Sequence, residues 1–294
     1  MGCIQRENSR YVYLLDTSAF RAISNQVLEN LRLQNLGLYA SPYVFWEVVC
    51  HLDENEGFDR NKGRLMKFKY VEVLDDPRAE IETQLLPGDS ELQERVTDGN
   101  IINAALAALQ ESHSLNAFYS AYIQDSKGRL HQISDCAINA QKALSEEEGK
   151  CIGFITKIIQ AFSSGQVKLA KDKDHHQAVL SLMEGCICKL KRRGASEVGL
   201  RQRIINDTYI YHSYIFHQAL RYFTNGKTNL SPNDYEDGRI CLHLKLNTPY
   251  RFVTDDKNLR ASLDKTVALI NRLDEPHFKT ELQVCDTTYL KSLA

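Results

Sequence analysis

The run Tyr11-Val12-Tyr13-Leu14-Leu15, passing without a spacer into Asp16-Thr17-Ser18, limits what this chain can fold into more than any other stretch. Five consecutive aromatic, β-branched or aliphatic residues leave no polar face, so the segment reads as a buried strand of the kind parallel sheets contain. Asp16-Thr17-Ser18 supplies helix N-cap chemistry where the strand ends, and Ala19-Phe20-Arg21-Ala22 continues as the helix. The same order returns at Leu36-Gly37-Leu38-Tyr39-Ala40, a short strand, after which Ser41-Pro42 opens a helix running to Cys50. Toward the other end, Tyr250-Arg251-Phe252-Val253 reads as a strand closed by Thr254-Asp255-Asp256. Lys257 to Leu263 reads as a helix, and Leu282-Gln283-Val284-Cys285 as a last strand. Strand and helix alternate at both ends, which predicts an α/β fold with a central parallel sheet flanked by helices.

From about residue 57 to 225 the pattern is mainly helical, with apolar residues at three- and four-residue spacing over Ile101–Leu109, Cys151–Phe162 and Ile204–Phe223. The chain therefore divides into a split α/β unit, residues 1–75 and 225–294, and a helical insertion, residues 76–224. Charge is uneven across the insertion: 72–98 carry nine acidic and two basic residues, 165–205 nine basic and four acidic. Solvated helix faces account for both runs, and the sharper reading makes Lys189, Lys191, Arg192 and Arg193 an electrostatic footprint for phosphates. Tyr209, Tyr211, Tyr214, Phe216 and Tyr222 make an aromatic-rich helix suited to core packing, with base stacking the alternative. His175-His176, without acidic or Cys partners at ligand spacing, reads as a solvated loop. A further helix is expected from Asp234-Tyr235-Glu236-Asp237 through Leu244, broken by Asn247-Thr248-Pro249.

At 294 residues the chain is long enough for a full core, and 43% hydrophobic residues with only 6 Pro and 15 Gly give disordered, collagen-like and repeat architectures no support. Lys plus Arg number 36 against 38 Asp plus Glu, a net charge of −2. That balance argues against a polycation that coats nucleic acid, and not against a nucleic-acid enzyme with segregated charge. The eight cysteines are dispersed, and Cys186 and Cys188 lack the second pair of a zinc ribbon, so free thiols in a reducing compartment are expected. The N-terminus has no secretory apolar region, no run is long enough to span a membrane, and Arg6 interrupts the acylation pattern of Met1-Gly2-Cys3. These features predict a cytoplasmic chain without a membrane partner.

Acidic residues stand where an α/β sheet builds its sites, at strand C-termini and on the helices that follow. They are Asp16, Glu47, the pair Asp234/Asp237, and Asp255/Asp256. Glu47 lies among Phe45, Trp46, Val48 and Val49, and a carboxylate drawn into such surroundings needs a partner. Carboxylates gathered together repel unless a cation separates them, and a hard divalent ion with oxygen ligands such as Mg²⁺ suits them. Each acid alone has a plainer explanation: Asp16 and Asp234 as N-caps, Glu47 as half of an ion pair, Asp255 as a turn residue.

Taken in order, these segments resemble the motifs of PIN-domain nucleases. Leu14-Leu15-Asp16-Thr17-Ser18-Ala19-Phe20 is similar to their opening strand and helix, Ser41 to Val48 to their second motif, and Asp237-(x)16-Thr254-Asp255-Asp256 to their third and fourth. The resemblance covers roughly residues 10–70 and 230–290. It implies a metal-dependent endoribonuclease that hydrolyses a phosphodiester to leave a 5′-phosphate and a 3′-hydroxyl. Asp16, Glu47, Asp237 and Asp256 would hold one or two Mg²⁺ or Mn²⁺ ions and activate water, with Asp234 an auxiliary ligand or the alternative to Asp237. Thr17, Ser18, Thr254 and Asp255 would support them, Thr254 as the hydroxyl that orients a carboxylate or phosphate. Small members of the family are toxins silenced by an antitoxin, so an inhibitory or regulatory protein partner, a defence role and a homo-oligomer are open by analogy. RNA is the expected substrate, with DNA the alternative and a non-catalytic nucleic-acid-binding or scaffold protein the reading from another class. A haloacid-dehalogenase-type phosphatase would need a second Asp where Ser18 stands, and Asn225-Gly226-Lys227-Thr228 lacks the upstream Gly of a phosphate loop.

Overall fold

The computed structural model describes residues 10–52, 57–75, 99–166, 172–195, 198–228, 230, 238–273 and 276–294. The chain begins with β1 (Val12–Leu15), α1 (Thr17–Ala22), α2 (Asn25–Leu33), β2 (Gly37–Ala40), α3 (Pro42–Cys50), α4 (Phe58–Leu65), a 3-10 helix (Met66–Tyr70) and β3 (Glu72–Val73). The insertion then contributes α5 (Gly99–Glu111), α6 (Leu115–Ser120), a hairpin of β4 (Tyr122–Gln124) and β5 (Leu130–Gln132), α7 (Ile133–Ser163), α8 (Asp172–Arg192) and α9 (Leu200–Thr224). A 3-10 helix (Arg239–His243), β6 (Tyr250–Val253), α10 (Lys257–Arg272), a 3-10 turn (Pro276–Phe278), β7 (Gln283–Cys285) and α11 (Thr287–Leu293) complete it.

Five strands form one sheet in the order β3-β2-β1-β6-β7, every pair parallel. The apolar run at 11–15 takes the central place because β1 pairs on both sides, Leu15 with Ala40 and with Val253. Tyr13, Leu14, Leu15, Phe252 and Val253 are wholly buried, as strands covered on both faces must be. Chain order reverses at β1: β2 and β3 follow on one side, β6 and β7 on the other. This is the topological switch point of an open α/β sheet, where a crevice forms outside the strand C-termini.

The sequence expectations hold for the α/β class, the strands near 11–15, 36–40, 250–253 and 282–285, and the burial of the Tyr209–Tyr222 aromatics. β3 and the β4–β5 hairpin come in addition. Two differences stand out. The expected helix through Leu244 is, in its described part, a five-residue 3-10 helix, and Gly238 before it lies so close to the Tyr214 ring that a Cβ would collide with it. Asp234 and Asp237 lie outside the described residues. His175 and His176 are not in a solvated loop but buried on α8: the His175 ring packs edge-on to Phe216, and His176 Nδ1 meets the Tyr209 hydroxyl at 2.6 Å. A third aromatic surface, Phe278, closes over His176 from beyond α10, a contact no local pattern reveals.

The insertion does not stand apart from the sheet. α7 packs on α3, and α9 packs on α7, α8, α10 and the 3-10 helix at 239–243. Buried residues of the sheet and the insertion belong to one continuous hydrophobic cluster. Hydrogen bonds orient α9 against the sheet. Near the strand C-termini, Ser41 Oγ meets His243 Nε2 at 2.9 Å, while before β6 begins Leu246 N donates to Asn206 O at 3.0 Å.

Candidate active site

The site is built where β1 ends. Asp16 follows Leu15, its N–H donates to Val253 O at 2.9 Å, and it stands at the N-cap position of α1. Its side chain makes no capping bond to the helix, so the plainer reading of Asp16 as an N-cap fails. Its carboxylate oxygen Oδ2 instead accepts from Ser18 Oγ at 2.8 Å and from Thr254 Oγ1 at 2.9 Å. Thr254, wholly buried at the end of β6, thus links the two strands that flank the switch point. Ser18 and Thr254 also accept from the Asp255 and Asp256 backbone N–H groups, at 2.9 Å for Asp255 to Ser18 and 3.1 Å for Asp256 to Thr254. Hydroxyls suit this place because one group can donate to a carboxylate and accept from the backbone at once.

Glu47 approaches from α3. Ser41 caps this helix by accepting from Tyr43 N, and Pro42 stands in its first turn. Val44, Phe45, Trp46, Val48 and Val49 are buried, leaving Glu47 on the half-exposed stripe. Thr17 Oγ1 donates to Glu47 Oε2 at 2.7 Å, so consecutive residues of one turn hold both acids: Thr17 the glutamate, Ser18 the aspartate. Behind them the Phe20 and Phe45 rings pack on Phe68, fixing α1 and α3 to the 3-10 helix at 66–70.

The other acids do different work. Asp256 is exposed and caps α10, its Oδ1 accepting from Asn258 N and Leu259 N at 2.8 and 3.0 Å. Asp255 accepts from Thr287 N and Thr287 Oγ1, tying the end of β6 to α11. Among the described residues, no three His, Cys, Asp or Glu side chains are gathered closely enough to hold a metal ion. The structure thus joins Asp16, Ser18 and Thr254 in one hydrogen-bonded group and Glu47 to Thr17 in a second, with Asp255 and Asp256 held in bonds of their own beside them.

Lys189, Lys191, Arg192 and Arg193 are exposed at the end of α8 and just past it. Arg201 and Arg203, the next cations, pair with Glu184 and Asp207.

A polar cleft adjoins Glu47. It has a volume of about 220 Å³ and lies between α3 and α7, with Glu47, Cys50 and His51 on one wall. Gln141, Leu144, Ser145 and Glu148 form the other, and Arg239 closes one end. Arg239 joins the walls: its guanidinium donates to Leu144 O at 3.1 Å and lies over the Tyr43 ring. Spacing within α7 gives no reason to single these residues out, because their partners across the cleft lie some 90 residues away in the chain. Compared with known proteins, the chain matches no family model, no curated protein and no solved structure.

Proposed function

We propose that this chain is a metal-dependent endoribonuclease of the PIN type, cutting RNA at the end of β1. The observation that carries the reading is the convergence on Asp16. Its carboxylate sits at the switch point of a parallel sheet, held by hydroxyls from both flanking segments, with Glu47 turned in by the next residue. Hydroxyls orient a carboxylate without neutralising it, which leaves Asp16 and Glu47 suited to a hard cation. A bound Mg²⁺ or Mn²⁺ would offset phosphate charge and lower the pKa of a water. In this reading Asp16 and Glu47 hold the ion, Thr17, Ser18 and Thr254 fix the angle at which they do so, and Asp237, Asp234 or Asp256 completes the set. Charge along the insertion serves RNA binding, with Lys189, Lys191, Arg192 and Arg193 meeting the phosphate backbone.

A second reading, a non-catalytic nucleic-acid-binding protein of the same fold, draws support from the capping role of Asp256 and from the lack of a three-ligand cluster among the described residues. One experiment separates the two. The full chain is incubated with labelled single-stranded and structured RNA in Mg²⁺ or Mn²⁺, in EDTA, and as Asp16→Asn. Cleavage by the parent alone, abolished by EDTA, is expected. Binding without cleavage favours the second reading, cleavage of DNA alone changes the substrate class, and an Asp16→Asn protein that cuts like the parent removes the site from β1.

A further inference from the structure

We infer that the cleft between α3 and α7 reads one nucleobase of the RNA beside the cut, and selects bases whose Watson–Crick edge sets an exocyclic amine beside an unprotonated ring nitrogen, adenine and cytosine, over uracil. At about 220 Å³ the cleft is smaller than the usual pocket for a whole small-molecule ligand, and fits one unit of a longer chain. Glu47 belongs to the cleft wall and is held by Thr17, the residue after Asp16, so a base seated here brings its phosphate toward the acids.

The wall chemistry chooses the ligand. Gln141, Ser145 and Glu148 follow one another by four and three residues and so share a face of α7. None of the three makes a hydrogen bond or ion pair with a described residue, whereas Glu47 and Arg239 are held by Thr17 and Leu144. Two carboxylates against one guanidinium disfavour a phosphate inside the cleft and favour a donor. The Glu148 carboxylate accepts from an amine such as adenine N6 or cytosine N4, while the Gln141 amide donates to the adjacent ring nitrogen. Uracil presents a carbonyl oxygen where those bases carry the amine, and that oxygen would face Glu148. Leu144 lends an apolar surface to the ring. Unstacked bases of single-stranded RNA expose the edge that such a site reads.

This inference rests on the nuclease reading, yet the two fail separately. Fluorescent oligo-A, oligo-C and oligo-U are titrated by anisotropy into the full-length Asp16→Asn protein, and again after adding Glu148→Ala or Gln141→Ala. Oligo-A and oligo-C are expected to bind about tenfold more tightly than oligo-U. Glu148→Ala should bring that ratio within twofold, while Glu146→Ala, an exposed charge-matched control on the same helix, should preserve it. Equal affinity for the three oligomers, or a preference that survives both cleft substitutions, overturns the inference. Parental cleavage is scored apart: RNA cut without base preference sinks the cleft and keeps the nuclease, and base-selective binding without cleavage does the reverse.

Discussion

Lys67 shows how much one residue far from the chemistry contributes to it. Its ammonium is buried and donates to Phe20 O and Arg21 O, both at 3.0 Å, closing the C-terminus of the six-residue helix that begins after Asp16. A helix that short has little stability of its own, so this tie helps hold Thr17 and Ser18 in place. Burial, helped by the charge of Arg64, lowers the Lys67 pKa to about 8. The unfolded chain then holds more protons than the folded one between about pH 8 and pH 10.5, so this residue makes stability rise with pH across that window. Urea unfolding of parent and Lys67→Met should show the parent gaining on the variant from pH 8 to pH 10.5, with a constant difference below pH 8. A difference that stays flat throughout would mean the amine titrates normally. Nothing near Lys67 in the sequence marks it as special, since its acceptors lie 46 and 47 residues upstream. Asp16, by contrast, was legible, because strand and acid adjoin.

At the scale of elements, helix caps and site residues overlap, and substitutions can part them. Asp256 caps α10 through two backbone N–H groups. Asn caps about as well as Asp, whereas Ala forfeits about 1 kcal/mol. Asp256→Asn should therefore unfold at the parent's urea midpoint, with Asp256→Ala unfolding earlier. If Asp256 also serves the metal, Asp256→Asn loses cleavage by more than about tenfold despite its intact stability. Parental cleavage by that variant would confine Asp256 to its cap. Asp286 gives a contrast: it caps α11 and pairs with Arg260 at 2.6 Å, so Asp286→Ala should cost about 1 kcal/mol and leave cleavage unchanged. The bounds of α3 and β6 could be read locally, from Ser41-Pro42 and from an unbroken apolar run. The 3-10 form at 239–243 could not, since Gly238 before it packs on the Tyr214 ring of a helix 24 residues earlier.

For the whole molecule, the insertion and the sheet share one apolar cluster, which predicts one cooperative transition. Trp46, the single tryptophan, is buried on α3 in the sheet unit, while much of the helical signal comes from α7, α8 and α9. Urea curves from Trp46 fluorescence and far-ultraviolet circular dichroism should coincide. A dichroism curve that falls first would show an insertion folding independently of the sheet. The sequence by itself determined the α/β class, the buried strand at 11–15, the alternation of strand and helix at both ends and the acid at the tip of β1. Each rests on residues adjacent in the chain, where hydrophobic period and capping chemistry act. Tertiary structure alone decided that Ser18 and Thr254 share Asp16, that Thr17 holds Glu47, and that α7 and Arg239 build a cleft beside Glu47. Those relations join segments tens to hundreds of residues apart, and only the packing of one common core sets such distances.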